Sequence, residues 1–294
     1  HLSLMHPTGH RQWGDPGEGG FLGRQHGPFR LAKGNGDNTG LDTVENMTLS
    51  DLSLERLQDR RALRSSFDAF SRDLNNAGDF GSLDEFEQQA LGILSSSKMA
   101  EALDLTKEDP KVLERYGKPD LEWRADGAPK MTTNFLLARR LVEAGARYVS
   151  LNFSRWDWHS DNFGRGRVDI PMLDQALCAL VEDIHDRGMD KDVSVVCWGE
   201  FGRTPKINPK GGRDHWPKAN FCLLAGGGMR TGQVIGSTDS QGAEPNDRPV
   251  KFKEVFATLF NNMGIPSNKD RIFDLGGRPQ YPVEPEVKPL RELI

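Results

Sequence analysis

The chain has 294 residues, of which 36% are hydrophobic and 28% are charged, and its formal net charge is −5. This length allows a substantial core, and the acidic balance argues against a general nucleic-acid or membrane-surface binder. No apolar run approaches the roughly 20 residues of a membrane span, and three cysteines without a CxxC pair argue against a disulfide framework or a thiolate metal site.

The first half of the chain divides into two predicted segments. Residues 1–48 are rich in glycine and show little periodicity, which predicts an irregular segment with at most short strands. Their histidines are irregularly spaced, which favours a loop over a metal site. From 51 to 116 the apolar residues recur at helical spacing, Ser82-Leu83-Asp84-Glu85 is typical of a capping box, and 117–131 is a polar connection with Gly and Pro. We therefore expect a helical insertion at 49–131, including a helix over 106–116.

The second half, 132–294, alternates between helical and strand-like patterns. The predicted elements are a helix at 132–145, a strand at 147–153, a helix at 171–187, strands at 193–198, 221–225 and 233–236, and a helix at 251–263. Such alternation predicts an α/β fold with a mainly parallel central sheet flanked by helices. The expected organisation is one domain, in which 132–294 is the α/β core.

Carboxylate and imidazole side chains follow two of the predicted strands. Asp157 and His159 come after the strand at 147–153, and Glu200 comes after the strand at 193–198. The carboxyl ends of parallel strands meet at one edge of a sheet, where α/β proteins bind ligands. A further pair, Asp214-His215, lies in a segment of loop composition, where a carboxylate and an imidazole indicate a functional role rather than packing.

These five residues are the predicted ligands of a divalent metal ion, because oxygen and nitrogen donors suit Zn, Mn or Mg. Asp157-x-His159 alone is weak evidence, and by itself it favours a structural role over a metal site. Glu200 is expected to be buried at the end of an apolar strand, where a carboxylate needs a cation or hydrogen-bond donors. Arg203 is either its partner in a structural ion pair or a ligand for phosphate or sulfate oxygens.

At these segments the chain resembles the family called domain of unknown function 1501. The similar motifs are 20–23 (GFLG), 138–145 (ARRLVEAG), 156–159 (WDxH), 199–208 (GEFGRTPKIN), 212–217 (GRDHWP), 224–228 (LAGGG) and 232–236 (GQVIG). The resemblance covers the chain from about residue 18 to its end. The family is abundant in planctomycete-like bacteria and usually carries a twin-arginine signal, which implies a periplasmic or exported protein.

The resemblance also implies the alkaline phosphatase/sulfatase superfamily, with a mainly parallel sheet between helices and two divalent metals at the strand ends. Asp157 and His159 resemble the Asp/His pair for one metal, and His215 resembles the late histidine ligand. Glu200 stands where those enzymes usually have an Asp followed by His, but the next residue, Phe201, cannot bind a metal. The family's earlier segment, which holds the nucleophile, has no counterpart before residue 20, so the chain resembles a member without that segment and is expected to be a poor catalyst.

The functional expectation is a sulfatase/phosphatase-like metallohydrolase, with Arg203 as its catalytic residue. Its substrate would be a small anionic ester or a sulfated or phosphorylated glycan. Two alternatives stay open: a non-catalytic cell-envelope binding or assembly protein that keeps the fold, and a metal-independent domain. Neither the metal nor the oligomeric state follows from the sequence.

Overall fold

The computed structural model describes residues 1–6, 19–23, 26–31, 97–122, 127–267 and 269–294. The chain forms two compact units. The first unit contains 1–113, 121–129 and 136–152, and the second contains 114–120, 130–135 and 153–294. The helices predicted between residues 50 and 96 lie outside the described residues.

The described residues form a mixed α/β structure with five α-helices and short strands. The helices are α1 (Ser97–Leu103), α2 (Pro110–Tyr116), α3 (Thr133–Glu143), α4 (Asn162–Asp186) and α5 (Phe252–Asn262). The strands are β1 (Leu2–Ser3), β2 (Phe29–Arg30), β3 (Val149–Ser150), β4 (Ser194–Trp198), β5 (Gly202–Arg203), β6 (His215–Trp216), β7 (Cys222–Gly226), β8 (Ser237–Thr238), β9 (Pro245–Asp247), β10 (Ile272–Phe273) and β11 (Pro279–Gln280). No helix in the described ranges is both long enough and apolar enough to cross a membrane.

The first unit is built on a parallel three-stranded sheet in the order β2-β1-β3. Leu2 of the central strand is in register with Phe29 on one side and with Val149 on the other. Leucines on these strands and beside them pack against Leu137 and Leu141, which lie one turn apart on α3. The described part of the predicted N-terminal segment contains the short strands β1 and β2, and the parallel pairing agrees with the predicted sheet type.

The second unit contains a sheet pair whose direction differs from the prediction. The strands β4 and β7 pair antiparallel, with Val196 opposite Leu224. The prediction of parallel pairing is wrong for these strands. The reason lies in the connection: residues 199–221 contain no helix among their described elements, and parallel neighbours need a long crossover that is usually helical. The face with Leu224 packs against Val255 and Leu259 of α5.

Two further element boundaries differ from the sequence prediction. The helix α4 begins at Asn162 rather than at residue 171, because its first turns carry polar residues and glycines that apolar periodicity does not detect. Pro171 lies inside the helix. Asp161 caps the N-terminus of α4 by accepting a hydrogen bond from the Gly164 N–H. The strand predicted at 233–236 does not form; β8 begins one residue later, at Ser237.

Candidate metal centre

Three of the predicted ligands lie together in the second unit. Asp157, His159 and His215 each place one donor atom within 4.8 Å of the other two. Asp157 and His159 belong to the connection that leads from β3 to α4, and His215 lies on β6. The strand pair β5–β6 brings Arg203 opposite His215. The structure therefore joins residues that are more than fifty positions apart in the sequence.

The separations between the three donor atoms are those expected of ligands around one ion. Asp157 Oδ1 lies 2.9 Å from Nε2 of His159 and 2.9 Å from Nε2 of His215. The two Nε2 atoms are 3.2 Å apart. Two donors that are each about 2.0–2.1 Å from an ion, at tetrahedral or octahedral angles, lie roughly 2.9–3.4 Å from each other. The three atoms thus have the spacing of a coordination sphere.

The hydrogen bonding of His159 gives a second reason to place a cation here. Its Nδ1 lies 2.7 Å from Asp214 Oδ1, and because an ionised carboxylate only accepts hydrogen bonds, Nδ1–H must be the donor. In a neutral imidazole the Nε2 atom then carries a lone pair, and this lone pair faces the carboxylate of Asp157. Two acceptors at this distance repel each other unless a proton or a metal ion lies between them. The donor set therefore fits a divalent ion or a proton held between His159 Nε2 and Asp157 Oδ1.

The charges around Asp157 keep its carboxyl group ionised. Partial burial by itself raises the pKa of Asp157, but the hydrogen bond from His215 and the ion pair with Arg203 outweigh it and lower the pKa to about 2. Arg203 Nη1 lies 2.6 Å from Asp157 Oδ1, and Arg155 Nη2 lies 3.9 Å from Oδ2. The pKa of Asp214 is also lowered, chiefly by the hydrogen bond from His159. Both carboxylates are thus negative at neutral pH.

The loop before His215 is held against the backbone of His159. Asn208 Nδ2–H donates to the His159 carbonyl at 3.1 Å, and Ser160 forms a β-bridge with Gly211. A Cβ atom at Gly212 would lie 2.0 Å from the carbonyl carbon of His159, so only glycine allows this approach. Sequence reasoning gave Asn208 and Gly212 no role, although both belong to the motifs that carry the family resemblance.

Glu200 does not join the cluster. It lies at a bend after β4 and is exposed, and the group of described residues that could hold an ion does not include it. The expectation of a buried carboxylate is wrong, because β4 belongs to a two-stranded sheet whose end is in solvent. The neighbouring Phe201 instead packs its ring on His215, with 4.6 Å between centroids.

Comparison with known proteins gives a family and no activity. The family model described as "Protein of unknown function (DUF1501)" matches residues 1–294. No curated protein and no solved structure matches the chain. The match over the whole chain confirms the family resemblance of its motifs.

Proposed function

The chain belongs to the DUF1501 family, and we propose that it is a metal-dependent hydrolase of phosphate or sulfate esters. The convergence of Asp157 Oδ1, His159 Nε2 and His215 Nε2 carries this proposal. The proposal includes the relationship to the alkaline phosphatase/sulfatase superfamily that the sequence resemblance implies. This relationship is supported by the pair Asp157 and His159 after β3 and by His215 on β6.

The three converging residues would hold the ion. Two imidazole nitrogens and one carboxylate oxygen suit Zn or Mn. When bound, such an ion supplies Lewis-acid polarisation of an ester oxygen and makes water a stronger acid. The protein's own contribution is to keep Asp157 ionised and to aim both Nε2 atoms at one point. The side chains of His159 and His215 are 45% and 51% exposed, so a substrate can reach them from solvent.

The basic residues around the cluster favour an anionic substrate. Arg203 uses Nη1 to contact Asp157, and a guanidinium has further N–H donors that match phosphate or sulfate oxygens. The segment 199–218 contains five basic and two acidic residues in a chain whose net charge is −5. This excess of basic residues in the segment that carries Arg203 and His215 favours an anionic substrate.

The test combines metal binding with turnover. The purified chain is titrated with Zn²⁺ and Mn²⁺, and hydrolysis of 4-nitrophenyl phosphate and of 4-nitrophenyl sulfate is measured with each ion. We expect a stoichiometric ion and slow turnover of at least one ester, both lost in His215→Ala. The matched control is His185→Ala, because His185 also contacts an aspartate but lies outside the cluster.

Two results would contradict the proposal. If the wild-type chain binds no ion, the converging donors are not a metal site. If it binds an ion but hydrolyses neither ester, the non-catalytic binding protein replaces the hydrolase as the function of this site.

A further inference from the structure

Asp214 lies on the side of His159 that faces away from the cluster. Its Oδ1 accepts from Nδ1–H of His159 at 2.7 Å, whereas the opposite ring nitrogen, Nε2, is the atom that approaches Asp157 and His215. The two nitrogens of an imidazole point in divergent directions. A carboxylate that binds Nδ1 in this way is remote from an ion held at Nε2.

We propose that Asp214 is a positioning residue that fixes the tautomer and the orientation of His159, and that it does not bind the ion itself. This inference rests on the proposed function, because it assigns the roles of two residues in the same site. With the proton held at Nδ1, the lone pair of Nε2 is always directed at the cluster. A carboxylate behind a metal-binding histidine also makes the imidazole a stronger donor to the metal.

Asp214 is itself held in place by neighbouring groups. Its Oδ1 accepts from Asn208 Nδ2–H at 3.2 Å, and its backbone N–H lies 3.1 Å from Thr204 Oγ1. The same Asn208 amide donates to the carbonyl of His159. One amide group therefore fixes both members of the Asp214–His159 pair, which gives the pair a single relative orientation.

His215 is positioned by different means. Its ring packs on Phe201, and its backbone is paired with Arg203 across β5 and β6. Removing Asp214 should therefore change the tautomer of His159 and leave His215 in place. This difference separates a positioning role from a general loss of structure.

The first measurement needs no metal. Long-range ¹H–¹⁵N spectra of the metal-free chain report which nitrogen of each histidine carries the proton, and a His159→Gln variant assigns the His159 signals. We expect the Nδ1–H tautomer for His159 in the wild-type chain. In Asp214→Ala we expect a mixture of both tautomers for His159, with the contact between the His215 and Phe201 rings retained.

The second measurement is Zn²⁺ affinity by competition with a chromogenic chelator. Loss of a carboxylate behind a metal-binding histidine typically weakens binding by roughly 10–100-fold, and we expect this for both Asp214→Ala and Asp214→Asn. Asp190→Asn is the matched control, because Asp190 also lies beside a histidine Nδ1, that of His185 at 3.7 Å, but outside the cluster. The control should bind Zn²⁺ as the wild type does.

Each outcome decides between the proposals. An Nε2–H tautomer for His159 in the wild-type chain would overturn the positioning role. So would an Asp214→Asn variant that loses Zn²⁺ as completely as His159→Gln while its tautomer stays at Nδ1–H, because Asp214 would then be a ligand. If His159 shows the Nδ1–H tautomer but the wild type does not bind Zn²⁺, the proposed function fails and the hydrogen-bond assignment stands.

Discussion

The second unit contains two clusters of charged side chains that differ in burial and in how their charges are matched. In the buried cluster, Lys130 Nζ lies 2.5 Å from Asp120 and 3.5 Å from Asp169, and the side chains of Lys130 and Asp169 are 2% and 0% exposed. The hydroxyl of Ser154 donates to the other oxygen of Asp169 at 2.5 Å. In the exposed cluster of Asp157, His159 and His215, Nε2 of each imidazole lies 2.9 Å from Asp157 Oδ1.

This contrast shows which cluster is structural and which is suited to a ligand. A buried ion pair is retained because removing either partner leaves an uncompensated charge, even when the intact pair adds little net stability. The exposed cluster is open to solvent, and two imidazoles and the Arg203 guanidinium converge on one oxygen of Asp157. Under the proposed function a divalent ion would join Arg203 as a cation of the exposed cluster, whereas the cation of the buried cluster is Lys130.

The largest predicted effect comes from breaking the buried cluster. Lys130→Met should lower the free energy of unfolding by about 3–5 kcal/mol, because Asp169 stays buried and loses the charge of Lys130. Urea unfolding followed by circular dichroism measures this. Lys218→Met is the matched control, since Lys218 pairs with Glu244 on the surface, and an exposed pair contributes little. Equal stability of the two variants would show that the buried cluster is not a structural element.

In the exposed cluster, a substitution should weaken metal binding and leave the free energy of unfolding unchanged. His159→Ala should reduce Zn²⁺ affinity by more than the roughly 100-fold upper range for losing an outer hydrogen-bond partner, because it removes a ligand. The metal-free chain should keep its stability, since the side chain is 45% exposed. Isothermal titration calorimetry measures the Zn²⁺ affinity, and urea unfolding of the metal-free protein measures its stability. A large loss of metal-free stability would place this cluster with the structural one.

Glu108 in the first unit is a further charged group, and its contribution to stability should depend on pH. Burial by itself raises the pKa of Glu108, but hydrogen bonds from Arg140 and Arg139 outweigh it, so its pKa lies below the ordinary value. The arginine nitrogens lie 2.7 and 2.6 Å from its Oε2.

Because the folded-state pKa of Glu108 is depressed, its contribution to stability is present above the unfolded pKa of about 4.3 and is lost as the pH falls through the folded value. Glu108→Gln should lower the free energy of unfolding at pH 7 by about 1–3 kcal/mol, and the difference from wild type should shrink toward pH 2. Unfolding at a series of pH values checks this, with the exposed Glu101→Gln as control. A pH-independent difference would mean that the charge of Glu108 does not stabilise the fold.

The smallest effect is predicted for Glu200. Because Glu200 is exposed and outside the cluster, Glu200→Gln should change Zn²⁺ affinity by less than about threefold, the scale of an exposed charge interaction. Chelator competition is sensitive enough to detect a larger change. A loss as large as that of His159→Ala would restore Glu200 as a ligand.

The sequence by itself determined the local elements and the chemistry of the candidate site. Apolar periodicity located α3 within 132–145, α5 within 251–263 and β4 within 193–198, because the spacing of apolar residues records which face of a segment is buried. The residue types Asp and His likewise indicated oxygen and nitrogen ligands before any geometry was known.

Only the tertiary structure decided how those segments meet. The antiparallel pairing of β4 with β7, the exposure of Glu200 and the position of Asp214 behind His159 all depend on contacts between segments far apart in the chain. Side-chain periodicity carries no record of strand direction or of the partner across a sheet. Asp214 and Asp157 are chemically identical in the sequence, and only the ring nitrogen that each one faces separates their roles.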